Sequence, residues 1–282
     1  MATVTFFHAH PDDEAIATGG TMASLADQGH RVVLVTATGG ELGEVPDGLL
    51  RPDETLAERR AVELADAARI LGAQRQVFLG YEDSGMEGEE SASRPGCFAT
   101  TDVDEAARRL ADLLTEESSD VLVTYDEHGG YGHPDHVQVH RVGMAAADLA
   151  GTPVLYMATM DRDFMIELRA RAAETGMVDE GEMEGADTMG EPGARITTQV
   201  AVGPWLDAKR EAMRAHASQI AEDSFFLAMP DDVFATVWGQ EWYVRVRPEP
   251  EDLGGGVREP GLVLDPAASV LGGGSTDGGA QW

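Results

Sequence analysis

A regular alternation of short apolar runs with amphipathic segments, from Thr3 to Met157, most constrains the fold of this chain. The apolar runs are rich in Val, Leu and Phe and comprise Thr3 to Phe7, Arg31 to Ala37, Gln76 to Gly80, Val121 to Tyr125 and Pro153 to Met157. Between them lie segments of helical period, which comprise Ala15 to Gln28, Leu56 to Leu71, Val103 to Ser118 and His136 to Leu149. This order is typical of βαβ units around a parallel sheet buried on both faces. The sequence therefore predicts a Rossmann-like α/β fold, with a mostly parallel sheet and flanking helices.

The second half of the chain is less regular. The stretches ITTQVAV (196–202) and EWYVRVRP (241–248) have strand character, and the last ordered element is expected to end near Pro248. Residues 174–193 are acidic and glycine-rich, which predicts a flexible surface insertion. Residues 249–282 have too few apolar side chains to offset their ordering entropy, which predicts a Gly-rich disordered tail. We expect one domain over residues 1–248.

Charge and composition exclude several classes of protein. A net charge of −31 with Lys209 as the only lysine is incompatible with the basic face that nucleic-acid binding needs. The sequence contains no apolar run long enough for a membrane span, and its N-terminus lacks the pattern of a signal peptide. A lone Cys97 fits a reducing compartment. We therefore expect a soluble, cytoplasmic protein, and a homo-oligomer is compatible with the sequence.

Two polar clusters follow the first and the fourth predicted strands. They are FFHAHPDDEAIATGG (6–20) and YDEHGGYGHPDHVQVH (125–140). In a doubly wound sheet, ligands bind at the crevice where strand order reverses, between the first strand and the fourth. These clusters contain six of the eight histidines, namely His8, His10, His128, His133, His136 and His140. Histidine and carboxylate converging from two loops predict a divalent metal such as zinc, held by about three protein ligands.

The metal ligands follow from spacing within these clusters. His10 and Asp13 form a natural chelating pair, because Pro11 suits a first helical turn in which residues three apart face one point. His136, which opens the helix after the fourth strand, is the expected third ligand. A dication also explains the three consecutive carboxylates of PDDE, because it offsets their repulsion. One of them can then accept a proton from metal-bound water, whose pKa falls to about 7.

The motifs AHPDDE (9–14) and GGYGHPDH (129–136) resemble the signature pair of the LmbE-like, PIG-L-type zinc-dependent N-deacetylases. The likeness is greatest to bacterial enzymes that act on the glucosaminyl-inositol precursor of mycothiol and on mycothiol conjugates. It extends over roughly 3–246 and includes TGGELGEV, LGYEDSGM and AHASQIAEDSFF.

This resemblance implies a role for each motif residue. It places one zinc ion per chain on His10, Asp13 and His136, although such ligands also accept ferrous iron. It implies Asp12 as the general base. The remaining implied roles are His133 as the charged partner of the tetrahedral intermediate or leaving amine, Tyr131 as a donor to the oxyanion, and Arg60 and Asp83 as ligands for sugar hydroxyls.

Each of these residues also has an alternative that requires no catalysis. Asp12 could serve only as a favourable charge at a helix N-terminus, and His133 and Tyr131 could be ordinary residues of a glycine turn. Arg60 and Asp83 could form a surface ion pair. Four other histidines, His8, His128, His140 and His216, are expected to pack or support ligands rather than bind metal. The segment TGGELGE is not a dinucleotide motif, because Thr38 occupies the position of the first glycine and the motif follows the wrong strand.

The sequence favours hydrolysis of the N-acyl (acetamide) group of an N-acetylglucosaminyl conjugate, which releases acetate and a free amine. A mycothiol-S-conjugate amidase is the first alternative, and a non-catalytic Rossmann-like binding module is the second. A metal-dependent phosphohydrolase would need a denser carboxylate cage. Ala17 stands where the resembling amidases carry a lysine, which favours a small amino-sugar substrate, whereas RPGCFAT (94–100) resembles the amidase pattern.

Overall fold

The computed structural model describes residues 1–86, 88, 91–174, 188–250 and 256–265. Within them, seven strands form one sheet, and the strands are β1 (Thr3–His8), β2 (Arg31–Thr38), β3 (Arg75–Tyr81), β4 (Val121–Tyr125), β5 (Val154–Thr159), β6 (Thr198–Ala201) and β7 (Gln240–Arg247). The order across the sheet is β3-β2-β1-β4-β5-β7-β6. Strand order therefore reverses between β1 and β4, as the sequence predicts.

The first five strands are parallel, and the last two add an antiparallel edge. Val4 on β1 pairs with Val32 on β2 and, on the other side, with Val121 on β4. β7 runs antiparallel to both β5 and β6. An antiparallel edge is common on such sheets, and the prediction of a Rossmann-like, mostly parallel sheet is confirmed.

Helices flank the sheet and alternate with its parallel strands. Those described are α1 (Gly19–Asp27), α2 (Leu56–Ile70), α3 (Val103–Glu116), α4 (Gly129–Gly132), α5 (Pro134–Ala150), α6 (Arg162–Glu174), α7 (Leu206–Ala215) and α8 (Asp231–Trp238). Their ends follow local rules: Thr55 and Glu58 form a capping box at α2, and α5 ends at Gly151 in the left-handed conformation. In the described part of the chain, no helix is both long and apolar enough to cross a bilayer.

The central strands are buried on both faces. All residues of β4 are buried, and so is every residue of β1 and β2 after the first. Large side chains such as Phe6, Phe7 and Leu34 are completely inaccessible between the sheet and the helices. This packing fixes the loops that leave β1 and β4 side by side at one edge of the sheet.

Part of the expected flexible insertion is packed onto the fold. Residues 175–187 lie outside the described residues, but Glu191 is buried and forms a bridge with Asp161. The amide of Gly190 donates to the carbonyl of Gly130 at 2.8 Å. Backbone pairing therefore orders the end of this segment although its sequence is polar.

The structure also differs from the expected disordered tail, over residues 256–265. Glu259 is buried, its amide donates to Thr197 O at 2.8 Å, and its carbonyl accepts from Gln199 N at 2.9 Å. Its carboxylate lies 2.6 Å from the buried guanidinium of Arg245. The buried ion pair and the backbone bridge, together with Leu262 and Leu264 packed against the core, thus dock this segment. Residues 251–255 and 266–282 lie outside the described residues.

Candidate active site

Four of the predicted site residues converge at the ends of β1 and β4. His136 Nε2 lies 3.3 Å from Asp13 Oδ1, and His10 Nδ1 lies 3.5 Å from Asp13 Oδ2. The ring of His133 contacts that of His10, with 4.6 Å between the ring centroids. All three histidines are buried. The structure therefore brings together residues that are more than a hundred positions apart.

The loop after β1 forms the chelating pair differently from the predicted helical turn. Asp12 has a φ of 112°, which non-glycine residues rarely adopt, and a π-helical turn begins only at Glu14. The carboxylate of Asp13 turns back and accepts from the backbone amide of His10 at 2.8 Å. The pair of His10 and Asp13 is therefore formed by a loop that contains a residue of positive φ, and not by a helical turn.

The donor set at this site fits a divalent metal. The nitrogens of His10, His133 and His136 all lie within 4.8 Å of one another. His136 Nδ1 lies 3.2 Å from the carbonyl of Gly129, which can only accept, so Nδ1 carries the proton. The buried Nε2 of His136 then presents a lone pair toward a carboxylate and has no hydrogen-bond partner among the described residues. A cation between His136 Nε2 and the Asp13 carboxylate would accept the lone pair of the nitrogen and offset the negative charge of the carboxylate.

The electrostatics of the site also favour a cation. The imidazole of His10 lies 3.5 Å from Asp13, 3.6 Å from Asp83 and 3.2 Å from Asp135. Burial opposes charging of His10, but the proximity of these three carboxylates, which accept from the protonated imidazole, raises its pKa well above the usual value. Burial likewise opposes charging of Asp13, yet His136 and His10 hold its pKa well below the usual value. The site thus stabilises positive charge strongly.

Asp12 adjoins this cluster, next to Asp13 in the sequence. Its Oδ2 lies 3.3 Å from the Arg60 guanidinium. Burial raises the pKa of Asp12 to about 6, against the opposing effect of Arg60. The carboxylate is therefore ionised at neutral pH and has a pKa close to the operating pH, which suits a general base.

Arg60 and Asp83 are both buried, so the alternative of a surface ion pair is wrong. Arg60 donates to the carbonyls of Gly40, at 2.7 Å, and Pro11. Asp83 accepts from the amides of Leu42, at 3.2 Å, and Gly85, at 2.9 Å. Both side chains therefore bind site loops, and their contact with sugar hydroxyls stays a prediction.

Tyr131 and His133 line the open side of the cluster. Tyr131 is half exposed and its ring centroid lies 4.9 Å from that of His136. Burial and the nearby Asp13 raise the pKa of its phenol, which therefore remains a hydrogen-bond donor. His133 Nδ1 accepts from the Asp135 amide at 3.1 Å, so neutral His133 carries its proton on Nε2. Burial and then the neighbouring histidines lower the pKa of His133 to about 4, and the charged role implied by the resemblance stays a prediction.

Sequence reasoning missed Asp135. It contacts His10 at 3.2 Å and accepts from the amide of Ser84 at 2.9 Å, so it connects the predicted ligand His10 to the loop after β3. Its position between His133 and His136 in one motif is the signal that could have indicated it.

Two histidines that the sequence assigned to packing are buried polar supports. His8 bonds Tyr125 Oη at 2.8 Å and Thr18 Oγ1 at 3.0 Å, and burial lowers its pKa to about 4. His216 Nε2 lies 2.6 Å from Glu14 Oε1, and both side chains are completely inaccessible. Burial opposes charging of this pair, but mutual attraction raises the pKa of His216 and lowers that of Glu14.

Solved structures with this fold include several deacetylases. The chain matches the N,N'-diacetylchitobiose deacetylase of Pyrococcus horikoshii with a TM-score of 0.52 and 21% identity, over 86% of this chain and 83% of that one. It matches the 4-carboxy-2-hydroxymuconate hydratase GalB of Pseudomonas putida with a TM-score of 0.57 and 18% identity, over 89% of this chain and 98% of that one. Likeness at this identity shows the fold alone.

Sequence comparison is more specific. A 1D-myo-inositol 2-acetamido-2-deoxy-alpha-D-glucopyranoside deacetylase of Streptomyces griseus is 43% identical over 86% of this chain and 83% of its own length. The protein of the same name from Acidothermus cellulolyticus is 42% identical over 88% of this chain and 89% of its own length. The family model for PIG-L, GlcNAc-PI de-N-acetylase, matches residues 5–147, which include both histidine clusters. This chain belongs to the PIG-L family of de-N-acetylases, as its two motifs predict.

Proposed function

We propose that this chain is a zinc-dependent deacetylase that hydrolyses the acetamide of an N-acetylglucosaminyl-inositol and releases acetate and the free amine. The observation that carries the proposal is the Asp12 carboxylate next to a His-Asp-His set, with both histidines buried, at the reversal point of the sheet. Relatives about 40% identical carry the name of that deacetylase. A non-catalytic binding module would have no need of a proton acceptor at this position.

His10, Asp13 and His136 would hold the metal. Two imidazole nitrogens and one carboxylate form a donor set that zinc prefers in catalytic sites and that ferrous iron also accepts. Bound there, the metal would polarise the acetamide carbonyl and lower the pKa of the attacking water.

The surrounding side chains accept a proton and stabilise the charge that develops during the reaction. Asp12 accepts a proton from the attacking water, and Arg60 stabilises its ionised form. As the water oxygen bonds to the acyl carbon, the Tyr131 hydroxyl and the His133 Nε2–H donate to the negative charge that develops on the substrate oxygen. The carbon–nitrogen bond then breaks, and the departing amine takes up the proton that Asp12 had accepted.

The surroundings of the site support a small amino-sugar conjugate over a bulky thiol conjugate. A cavity of about 520 Å³ opens beside Tyr131, which is the one proposed site residue in its lining. Ala17 is exposed and offers no cation to a charged distal group. The RPGCFAT segment, whose Cys97 is buried, is the one feature that resembles the amidases.

The substrate assignment is tested by primary-amine release from N-acetylglucosamine, its inositol conjugate and a thiol-conjugated analogue. We expect the highest kcat/KM for the inositol conjugate. A higher value for the thiol conjugate would assign the chain to the amidases, and no release from any of the three would contradict the proposed function.

The ligand assignment is tested by elemental analysis of protein purified without added metal. His10→Ala and His136→Ala should each lose zinc. His140→Ala is the matched control, because His140 lies on the same helix as His136 but bonds only the carbonyl of Tyr125 among the described residues. Stoichiometric zinc in both ligand variants would refute the assignment.

A further inference from the structure

We infer that His216, acting through Glu14, is a positioning residue that holds Asp12 in its active orientation. The inference rests on the proposed function, in which Asp12 accepts the proton. His216 lies in the turn after α7, 202 positions from Glu14, and among the described residues its imidazole hydrogen-bonds only Glu14. We assign its effect on the reaction to the hydrogen bonds that join it to the loop after β1.

The backbone of Asp12 needs external support. A φ of 112° is unfavourable for a residue with a side chain, and such conformations persist only where surrounding contacts impose them. Arg60 provides one support, through its contacts with the Asp12 carboxylate and the Pro11 carbonyl. The amide of Asp12 has a second, because it donates to Glu14 Oε2 at 3.0 Å.

Glu14 can hold that amide only if its own carboxylate is fixed. Its other oxygen, Oε1, lies 2.6 Å from His216 Nε2, and neither side chain is accessible to solvent. The two oxygens of one carboxylate thus join His216 to the Asp12 amide. Removal of the imidazole would free Glu14 to rotate, and the amide would lose a fixed acceptor.

The turn that carries His216 is itself fastened to α2, the helix that carries Arg60. The amide of Ser218 donates to Glu63 at 3.1 Å, and the Ser218 hydroxyl donates to the same buried carboxylate at 2.6 Å. Both supports of Asp12 therefore belong to one packed unit, since α2 and α7 are in contact. This arrangement can restrict the orientation of the Asp12 carboxylate more than the loop after β1 could by itself.

Kinetics separate this role from a merely structural one. His216→Ala should lower kcat by about 10- to 100-fold, the effect expected from misplacing a reacting group, with KM and zinc content unchanged. His216→Gln should restore most of kcat, because its amide can donate to Glu14. Glu259→Gln is the matched control, since Glu259 forms a buried 2.6 Å pair with Arg245, and the side chains that its carboxylate contacts among the described residues lie on β5, β6 and β7. It should lower the melting temperature and leave kcat unchanged.

Crystal structures of the wild-type and His216→Ala proteins provide a readout that does not depend on turnover. We expect the φ of Asp12 to leave its value of 112° and the Asp12–Arg60 distance to depart from 3.3 Å in the variant. An unchanged Asp12 would overturn the inference, as would a fall in kcat that Glu259→Gln shares. If the wild-type protein releases no amine from any substrate, the proposed function fails, while the structures still decide whether His216 holds Asp12.

Discussion

Replacing Glu259 with glutamine should destabilise the whole domain, although this residue lies in a segment that the sequence predicted to be disordered. The Glu259 carboxylate lies 2.6 Å from Arg245, and both side chains are at least 97% buried. The glutamine amide can still accept from the Thr198 hydroxyl, which is 2.8 Å away in the wild-type protein. The change therefore removes the negative charge and little else.

The size of the expected loss of stability follows from the burial of Arg245, the partner of Glu259. Removing one member of a buried ion pair leaves an uncompensated charge, which costs about 3–5 kcal/mol in free energy of unfolding. At about 2–4 °C per kcal/mol for a protein of this size, the melting temperature should fall by about 10 °C. Adding Arg245→Met should recover most of this loss, because a buried pair replaced as a whole is often neutral.

Urea and thermal unfolding of the variants would measure both effects. The matched control is Asp148→Asn, which breaks the exposed pair between Asp148 and Arg247 on the same strand as Arg245. Exposed pairs contribute about 0–1 kcal/mol, so the control should change stability little. Truncation after Pro248 should cost at least as much as Glu259→Gln. The reasoning is refuted if Glu259→Gln is no less stable than the control.

Two further predictions concern acid stability and packing. His8 has a folded pKa of about 4 against an unfolded value of 6.5, so the unfolded chain binds the proton more readily below pH 6.5. The contribution of His8 to the free energy of unfolding is complete above pH 6.5 and should fall by about 2 kcal/mol between pH 7 and 5. Urea titrations at the two pH values should show a smaller loss of stability for His8→Gln than for the wild-type protein. Gly20→Ala would place a Cβ 2.4 Å from that of Val202 and should cost about 1–3 kcal/mol. Gly203→Ala, where a Cβ meets nothing within 4 Å, is the control, and equal melting temperatures for the two variants would contradict the packing argument.

The sequence predicted those features that depend on local pattern. Apolar runs of strand length identified β1 to β5, and the histidine-rich stretches after β1 and β4 identified the edge of the sheet where the site lies. The strands could be predicted because buried parallel strands are continuous apolar runs. The site could be predicted because the reversal of strand order places the loops after β1 and β4 side by side. The family assignment followed from motifs within these same loops.

Long-range polar pairs could not be predicted in this way. Glu14 meets His216, and Arg60 meets Asp12, only because α2 and α7 pack beside the loop after β1. The left-handed conformation of Asp12 has no sequence signal either, since aspartate adopts it only under such constraints. The docking of Glu259 likewise depends on Arg245, a partner that composition alone does not reveal.

The central claim is that Asp12 removes a proton beside a metal held by its neighbours. It is tested most directly by the turnover of Asp12→Ala protein whose zinc content has been measured. We predict full zinc occupancy together with a fall in kcat of about 10²- to 10⁴-fold on the N-acetylglucosaminyl-inositol, the usual loss for a general base. A zinc-loaded Asp12→Ala enzyme with wild-type kcat would contradict the account.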